Sequence, residues 1–221
     1  IMTTRKVYAE ELNELALEVS KMGGQLEHMI DEVSEALKNM DSKLAEKIMK
    51  EDDIVDDMER KIEKACIRIV AKQQPVATDL RRVTSVMRLI SDIERVADHC
   101  SDISEYILEI NEDTPVKAPE MLFTMLEDVK KMAVDTIDSF VEEDLEKSKR
   151  VAGSDDKIDN YFLQIKDNLC KSMHEDIEHI KTYVDYLMIT KYVERMADHC
   201  TNIAEWVSFI ITGDLDQYMN S

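Results

Sequence analysis

Apolar residues recur along this chain at steps of three and four. Residues 77–111 carry the stripe Val83, Val86, Ile90, Ile93, Ala97, Cys100, Ser104 and Ile107. Residues 177–212 repeat it with Tyr186, Thr190, Val193, Ala197, Cys200, Ala204, Val207 and Ile211. Such spacing places one apolar face along a helix packed in a bundle. The same pattern predicts six helices, at about 5–39, 42–72, 77–111, 119–141, 143–172 and 177–212. Gly23-Gly24 falls midway along the first and marks a kink or a close-packing point.

Two of the stripes contain acids. The second helix reads Leu44, Ile48, Asp52, Val55, Glu59, Ile62, Cys66, Ile69, and the fifth reads Ala152, Asp155, Ile158, Phe162, Ile165, Leu169. Asp52 and Asp155 fill matching apolar slots, and each has a second aspartate four residues on, Asp56 and Asp159. A carboxylate held near a core costs several kcal/mol unless it is paired or bound to a cation.

The chain also repeats itself. Residues 93–107, IERVADHCSDISEYI, match residues 193–207, VERMADHCTNIAEWV, at eight of fifteen positions. That is an internal duplication. The offset is 100 here and 103 at the paired aspartates, so the second copy lacks three residues between them. The loop signal QQPVATDL around Pro75 is the place for that difference. The stretch NEDTPVKAPE, residues 111–120, holds Pro115 and Pro119 and joins the copies. The expected architecture is all-α, two tandem three-helix units over 1–112 and 113–221.

Register brings the acids together. Residue 75 lies halfway between the Asp52/Asp56 pair and the Glu94/Asp98 pair. In an antiparallel hairpin, residues equidistant from the turn sit side by side. In the second half the pairs Asp155/Asp159 and Glu194/Asp198 place the turn near Asp176. Four carboxylates should therefore converge once per half. Like charges so gathered must take up protons, meet Arg or Lys, or bind a metal. Arg95 and Arg195 are at hand as ion-pair partners, so an ion-pair network and a metal site both stand open. Oxygen-only donors suit magnesium, manganese, calcium or iron, and zinc is kept as a candidate.

Composition narrows the function. The 221 residues include only four glycines and three prolines, too few turns for a sandwich or barrel. The net charge of −20 opposes nucleic-acid and anionic-membrane binding. The four cysteines lie in helical patterns without CxxC spacing, which suggests small core residues in a reducing compartment. No charged-then-apolar leader and no long apolar run are present, so a cytoplasmic protein without membrane insertion is expected. The helical wheel turns His99 and His199 outward, to solvent or an interface. His28, His174 and His179 have no duplicated counterpart and are given no role.

These segments resemble the PhoU family, phosphate-signalling regulators of bacteria and archaea. The resemblance rests on KQQPVATDLRRV at 72–83, the two ER-x-A-D-H-C segments and the paired DxxxD blocks, and it covers the whole chain. It implies two three-helix bundles, frequent dimers and metal ions, iron clusters in some members, at (E/D)xxxD motifs. By matching position the metal residues are Asp52, Asp56, Glu94 and Asp98, with Asp155, Asp159, Glu194 and Asp198. It further implies a non-enzymatic adaptor that contacts a phosphate ABC transporter ATPase subunit and a sensor histidine kinase. Such an adaptor damps phosphate uptake and the phosphate-starvation response. The second half lacks the PVATDLR turn, so Asp79 and Arg81 have no counterpart there. Asn202 replaces Asp102, and alanine (Ala97, Ala197) stands where many members have glycine.

A carboxylate-bridged metal bundle with a redox or storage role uses Glu-x-x-His pairs, and none of the five histidines follows a Glu by three residues. A phosphotransfer bundle would have to use His99, whose acidic neighbours repel phosphate.

Overall fold

Local signals set most helix boundaries. The structure, a computed structural model, describes residues 2–75, 77–112 and 116–214, and side chains from residue 6 onward. Helix α1 spans Met2–Asn39 and α2 spans Ser42–Gln73. Between them Asp41 caps α2, its carboxylate accepting from the amides of Lys43 and Leu44. Gln74 ends α2 in the left-handed region at φ 47°. Pro75, which cannot continue the ladder, follows, and α3 runs Thr78–Glu112. Pro119 precedes α4, Glu120–Glu142. The other linker proline, Pro115, and the expected boundary at residue 113 lie outside the described residues.

The fifth predicted helix, 143–172, is delivered in two pieces. Helix α5 spans Leu145–Ala152, and α6 spans Asp155–Glu175. Gly153 and Ser154 interrupt the ladder, with the Ser154 amide donating to the carbonyl of Val151. Asp155 and Asp156 then sit in the first turn of α6, where free amides and the helix dipole favour negative charge. The order of the six expected helices is otherwise kept. Helix α6 ends at Asp176, the expected turn, which a 3₁₀ turn at Ile177–His179 follows, and α7 spans Ile180–Thr212.

Helices α1–α3 form one bundle and α4–α7 the other. They meet along α3 against α7 and along α1 against α4. Gly23 is the close-packing point: a Cβ there would lie 2.7 Å from Cγ1 and Cγ2 of Ile137 on α4. The predicted stripes are buried on α3, and on α7 as far as Val207, with Ile211 partly buried. A second set is buried too: Leu89, Val96, Ile103 and Ile110 on α3, and Ile189, Met196, Ile203 and Ile210 on α7. Steps of seven are the seam of a coiled-coil pair. Arg81 near the start of α3 donates from Nε and Nη2 to the Ile210 carbonyl near the end of α7. Tyr106 packs on Tyr192. The two helices therefore run antiparallel.

Cys66, Cys100 and Cys200 are buried as expected, whereas Cys170 is exposed. Leu169, not Cys170, holds the stripe slot that Cys66 fills in the first half. Among the described residues no helix is long and apolar enough to cross a membrane.

Candidate metal centre

In the first half, α2 supplies Asp52 and Asp56 and α3 supplies Glu94 and Asp98. All four are partly buried, at the rim of the core. Burial, then Asp98 and Asp56, pushes the Asp52 carboxyl up to about 6. Burial, then Asp98, pushes Glu94 up to about 7, against the pull of Arg95. Glu59 is raised as well, by burial and then by Glu63 and Asp56. Arg60 Nη2 lies 2.7 Å from Asp56 Oδ2, and Arg95 Nη1 lies 2.7 Å from Asp98 Oδ2.

In the second half Asp155 opens α6, and Glu194 and Asp198 face it from α7. Burial, then Glu194 and Asp155, pushes Asp198 up to about 6. Asp155 is raised by burial, then by Asp159 and Glu194. Asp159 itself is exposed. The Lys191 ammonium donates to both oxygens of Glu194, at 2.6 Å to Oε1. Lys191 carries no signal in the duplicated motif, because Ser91 stands at its matching position. The expected ion pair of Arg195 is replaced by another placement: its charge acts on His99 and Tyr192 at the α3–α7 seam.

The donor chemistry of both clusters fits a hard cation. Asp52 Oδ1 and Asp155 Oδ1, the matching atoms of the two copies, are buried and have no hydrogen-bond partner. A buried acceptor without a donor is destabilising unless a cation or proton satisfies it. In neither cluster do three donor atoms all lie within 4.8 Å of one another. Among the described residues, the trio with donor atoms all within 4.8 Å of one another lies elsewhere: His28, Glu32 and Glu51, between α1 and α2. There Lys47 Nζ sits 2.5 Å from Glu32 and 3.2 Å from Glu51, so an ammonium holds the place of a cation.

His99 and His199 are not on an outer face. His99 is 8% exposed and lies on the α3–α7 seam, its ring centroid 5.6 Å from that of His199. Nδ1 of His99 is 3.0 Å from Asp102 Oδ2, and Nδ1 of His199 is 2.8 Å from Asp92 Oδ1. Tyr192 packs on His99 at 5.3 Å. Burial, above all, lowers the His99 pKa. The wheel misplaced these residues because it assumed one packed face, whereas α3 and α7 each have two. The seven-residue repeat of Leu89, Val96, Ile103 and Ile110 was the signal that shows the second face.

A sequence-family model described as the PhoU domain matches residues 19–107 and 122–207, one copy per half. A phosphate-specific transport system accessory protein PhoU homolog of Clostridium acetobutylicum is 37% identical over 211 residues, covering 95% of this chain and 96% of that protein. The Escherichia coli phosphate-specific transport system accessory protein PhoU is 31% identical, over 92% and 84% of the two chains. The crystal structure of the phosphate transport system regulatory protein PhoU from Streptococcus pneumoniae superposes with a TM-score of 0.88 at 30% identity, covering 94% and 98%. PhoU from Pseudomonas aeruginosa gives 0.88 at 29% identity, covering 94% and 100%. With both matched copies falling on the duplicated bundles, the chain belongs to the PhoU family.

Proposed function

We propose that this chain is a non-enzymatic negative regulator of phosphate uptake whose two acidic clusters bind metal ions. The observation that carries the metal reading is the duplicated orphan acceptor, Asp52 Oδ1 and Asp155 Oδ1. The ligands are Asp52, Asp56, Glu94 and Asp98 in the first repeat, 1–112. In the second repeat, 113–221, they are Asp155, Asp159, Glu194 and Asp198. An ion there supplies the positive charge that ties α2 to α3 and α6 to α7. Magnesium, manganese and iron suit the all-oxygen donor set.

Family membership supports the adaptor role. The relatives named above are accessory or regulatory proteins of phosphate transport. On this reading the chain works in the cytoplasm as a homodimer. It contacts the ATPase subunit of a phosphate ABC transporter and a sensor histidine kinase, and damps phosphate-starvation signalling. His99, 8% exposed, is poorly placed to accept a phosphoryl group, which favours an adaptor over a phosphotransfer bundle. Pull-down of the transporter ATPase and of the kinase's cytoplasmic portion tests the role, with metal-loaded and metal-stripped protein. Capture of either partner is expected, and no capture in either state refutes the adaptor.

A further inference from the structure

The two clusters dispose of charge differently. In the first, cations sit on the rim. Arg60 and Arg95 have side chains 57% exposed, and they hold the outer carboxylates Asp56 and Asp98. Arg95 Nε is a longer 3.6 Å from Glu94 Oε2. Asp52, whose Oδ1 is buried without a hydrogen-bond partner, and Glu94, 14% exposed, lie deeper. In the second, the cation is less exposed, at 39%, and sits on the deeper carboxylate. Lys191 bonds to both oxygens of Glu194, whose side chain is 12% exposed. The ammonium also lies 5.2 Å from the centroid of the Phe162 ring, a cation–π contact.

Each feature of that arrangement is a departure from the first copy. Lys191 stands where the first half has Ser91. Phe162 stands where it has Glu59. Each exchange makes the second cluster one charge more positive. Two differences run the other way. Arg195 acts at the seam instead of on its cluster, and Glu205, partly buried where its counterpart Glu105 is exposed, is raised by burial and then by Asp155. Neither touches the Lys191–Glu194 pair.

Resting on the metal reading above, we propose that the two clusters are unequal cation sites. The first takes a divalent ion tightly. The second keeps Lys191 as its resident cation and takes a divalent ion weakly. An ion entering the first cluster meets Asp52 Oδ1 and Glu94 with the arginines outside. An ion entering the second must displace Lys191, breaking two charge-assisted hydrogen bonds and the contact with Phe162, or sit beside a like charge. Asp155 Oδ1 keeps the second cluster open to cations but handicapped.

Calorimetric titration of the full chain with manganese(II), with bound ion counted by electron paramagnetic resonance, tests this. Wild type should show one tight site and a second weaker by about tenfold or more, the range over which a charge 4–6 Å away alters an ionic equilibrium. Asp52→Asn should remove the tight site and Asp155→Asn the weak one. Lys191→Ser, which installs the first half's residue, and Lys191→Met, which keeps the stem over Phe162, should both tighten only the weak site. A second site undetected in wild type that appears in these variants supports the proposal equally. Two equal sites in wild type overturn it, as does a weak site unmoved by either Lys191 variant. No saturable binding by any of the proteins, each shown helical by circular dichroism, overturns the metal reading itself.

Discussion

Asp52→Asn should stabilise the metal-free protein while removing a metal ligand. At pH 8 the Asp52 carboxylate must be ionised against burial and the charges of Asp98 and Asp56, which together push it up to about 6. The rise from 3.8 to about 6 corresponds to about 3 kcal/mol at full ionisation. The side chain stands at the rim of the core, so water screens this to about 1–2 kcal/mol. The sign follows from linkage. A group raised in the fold contributes stability that is fully present below its unfolded pKa, near 4, and lost as pH rises through about 6. Asparagine keeps the neutral contribution at every pH. In urea unfolding with EDTA at pH 8, Asp52→Asn should therefore exceed wild type by about 1–2 kcal/mol. That is a melting temperature higher by about 2–8 °C for a chain of this size. The gap should narrow at pH 5 and nearly close at pH 4. Manganese at pH 8 should then stabilise wild type more than the variant. A variant less stable than wild type at pH 8, or an advantage as large at pH 4, would refute the reasoning.

Two further outcomes test the packing. The adjacent glycines of α1 should respond to alanine with opposite signs. A Cβ at Gly24 meets nothing within 4 Å, so Gly24→Ala should gain up to about 1 kcal/mol of helix propensity. A Cβ at Gly23 lands 2.7 Å from Ile137, and Gly23→Ala should lose about 1–3 kcal/mol through overpacking. Urea unfolding of both variants measures the pair, and stabilisation by both contradicts the close approach of α1 and α4. Of the four thiols, Cys170 alone should react promptly with a disulfide reagent in the native state. Cys66, Cys100 and Cys200 are buried, and burial pushes Cys66 and Cys200 up to about 12. More than one prompt equivalent, read by absorbance, contradicts that burial.

What was legible in the sequence was whatever a single helix or a single hairpin decides. The stripe of α3 was readable because apolar spacing reports one packed face, and the approach of Asp98 to Asp52 because chain length from Pro75 sets hairpin register. The break at Gly153-Ser154 was not, since the apolar spacing runs through it from Ala152 to Asp155 and Ile158. The pairing of Lys191 with Glu194 was hidden because a lysine at the cluster edge looks like any solvated residue until Phe162 of the neighbouring helix is placed beneath it. Cys170 lies one residue past the buried slot that Leu169 fills, an offset smaller than apolar spacing resolves.

The α3–α7 seam explains why duplicated residues diverged. An antiparallel pair of equivalent helices sets like residues near each other at its centre, and here His99 meets His199. Both imidazoles need a partner for Nδ1. The first copy finds one on its own helix in Asp102. The second cannot, because Asn202 stands at the matching place, so His199 reaches across to Asp92. The residue matching Asp92 is Tyr192, which packs on His99 instead of offering it a second carboxylate. Both acids thus come from α3, and α7 contributes an amide and a ring. Asn202 Nδ2 donates to the same Asp92 oxygen at 3.4 Å, which completes the division. A symmetric seam would have gathered four carboxylates around two imidazoles, one buried and one partly buried. The divergent one keeps a single carboxylate per histidine, which burial tolerates. The exchanges that distinguish the copies are therefore of two kinds. Those at the seam let the bundles pack on each other, and Lys191 with Phe162 sets the second cluster apart from the first.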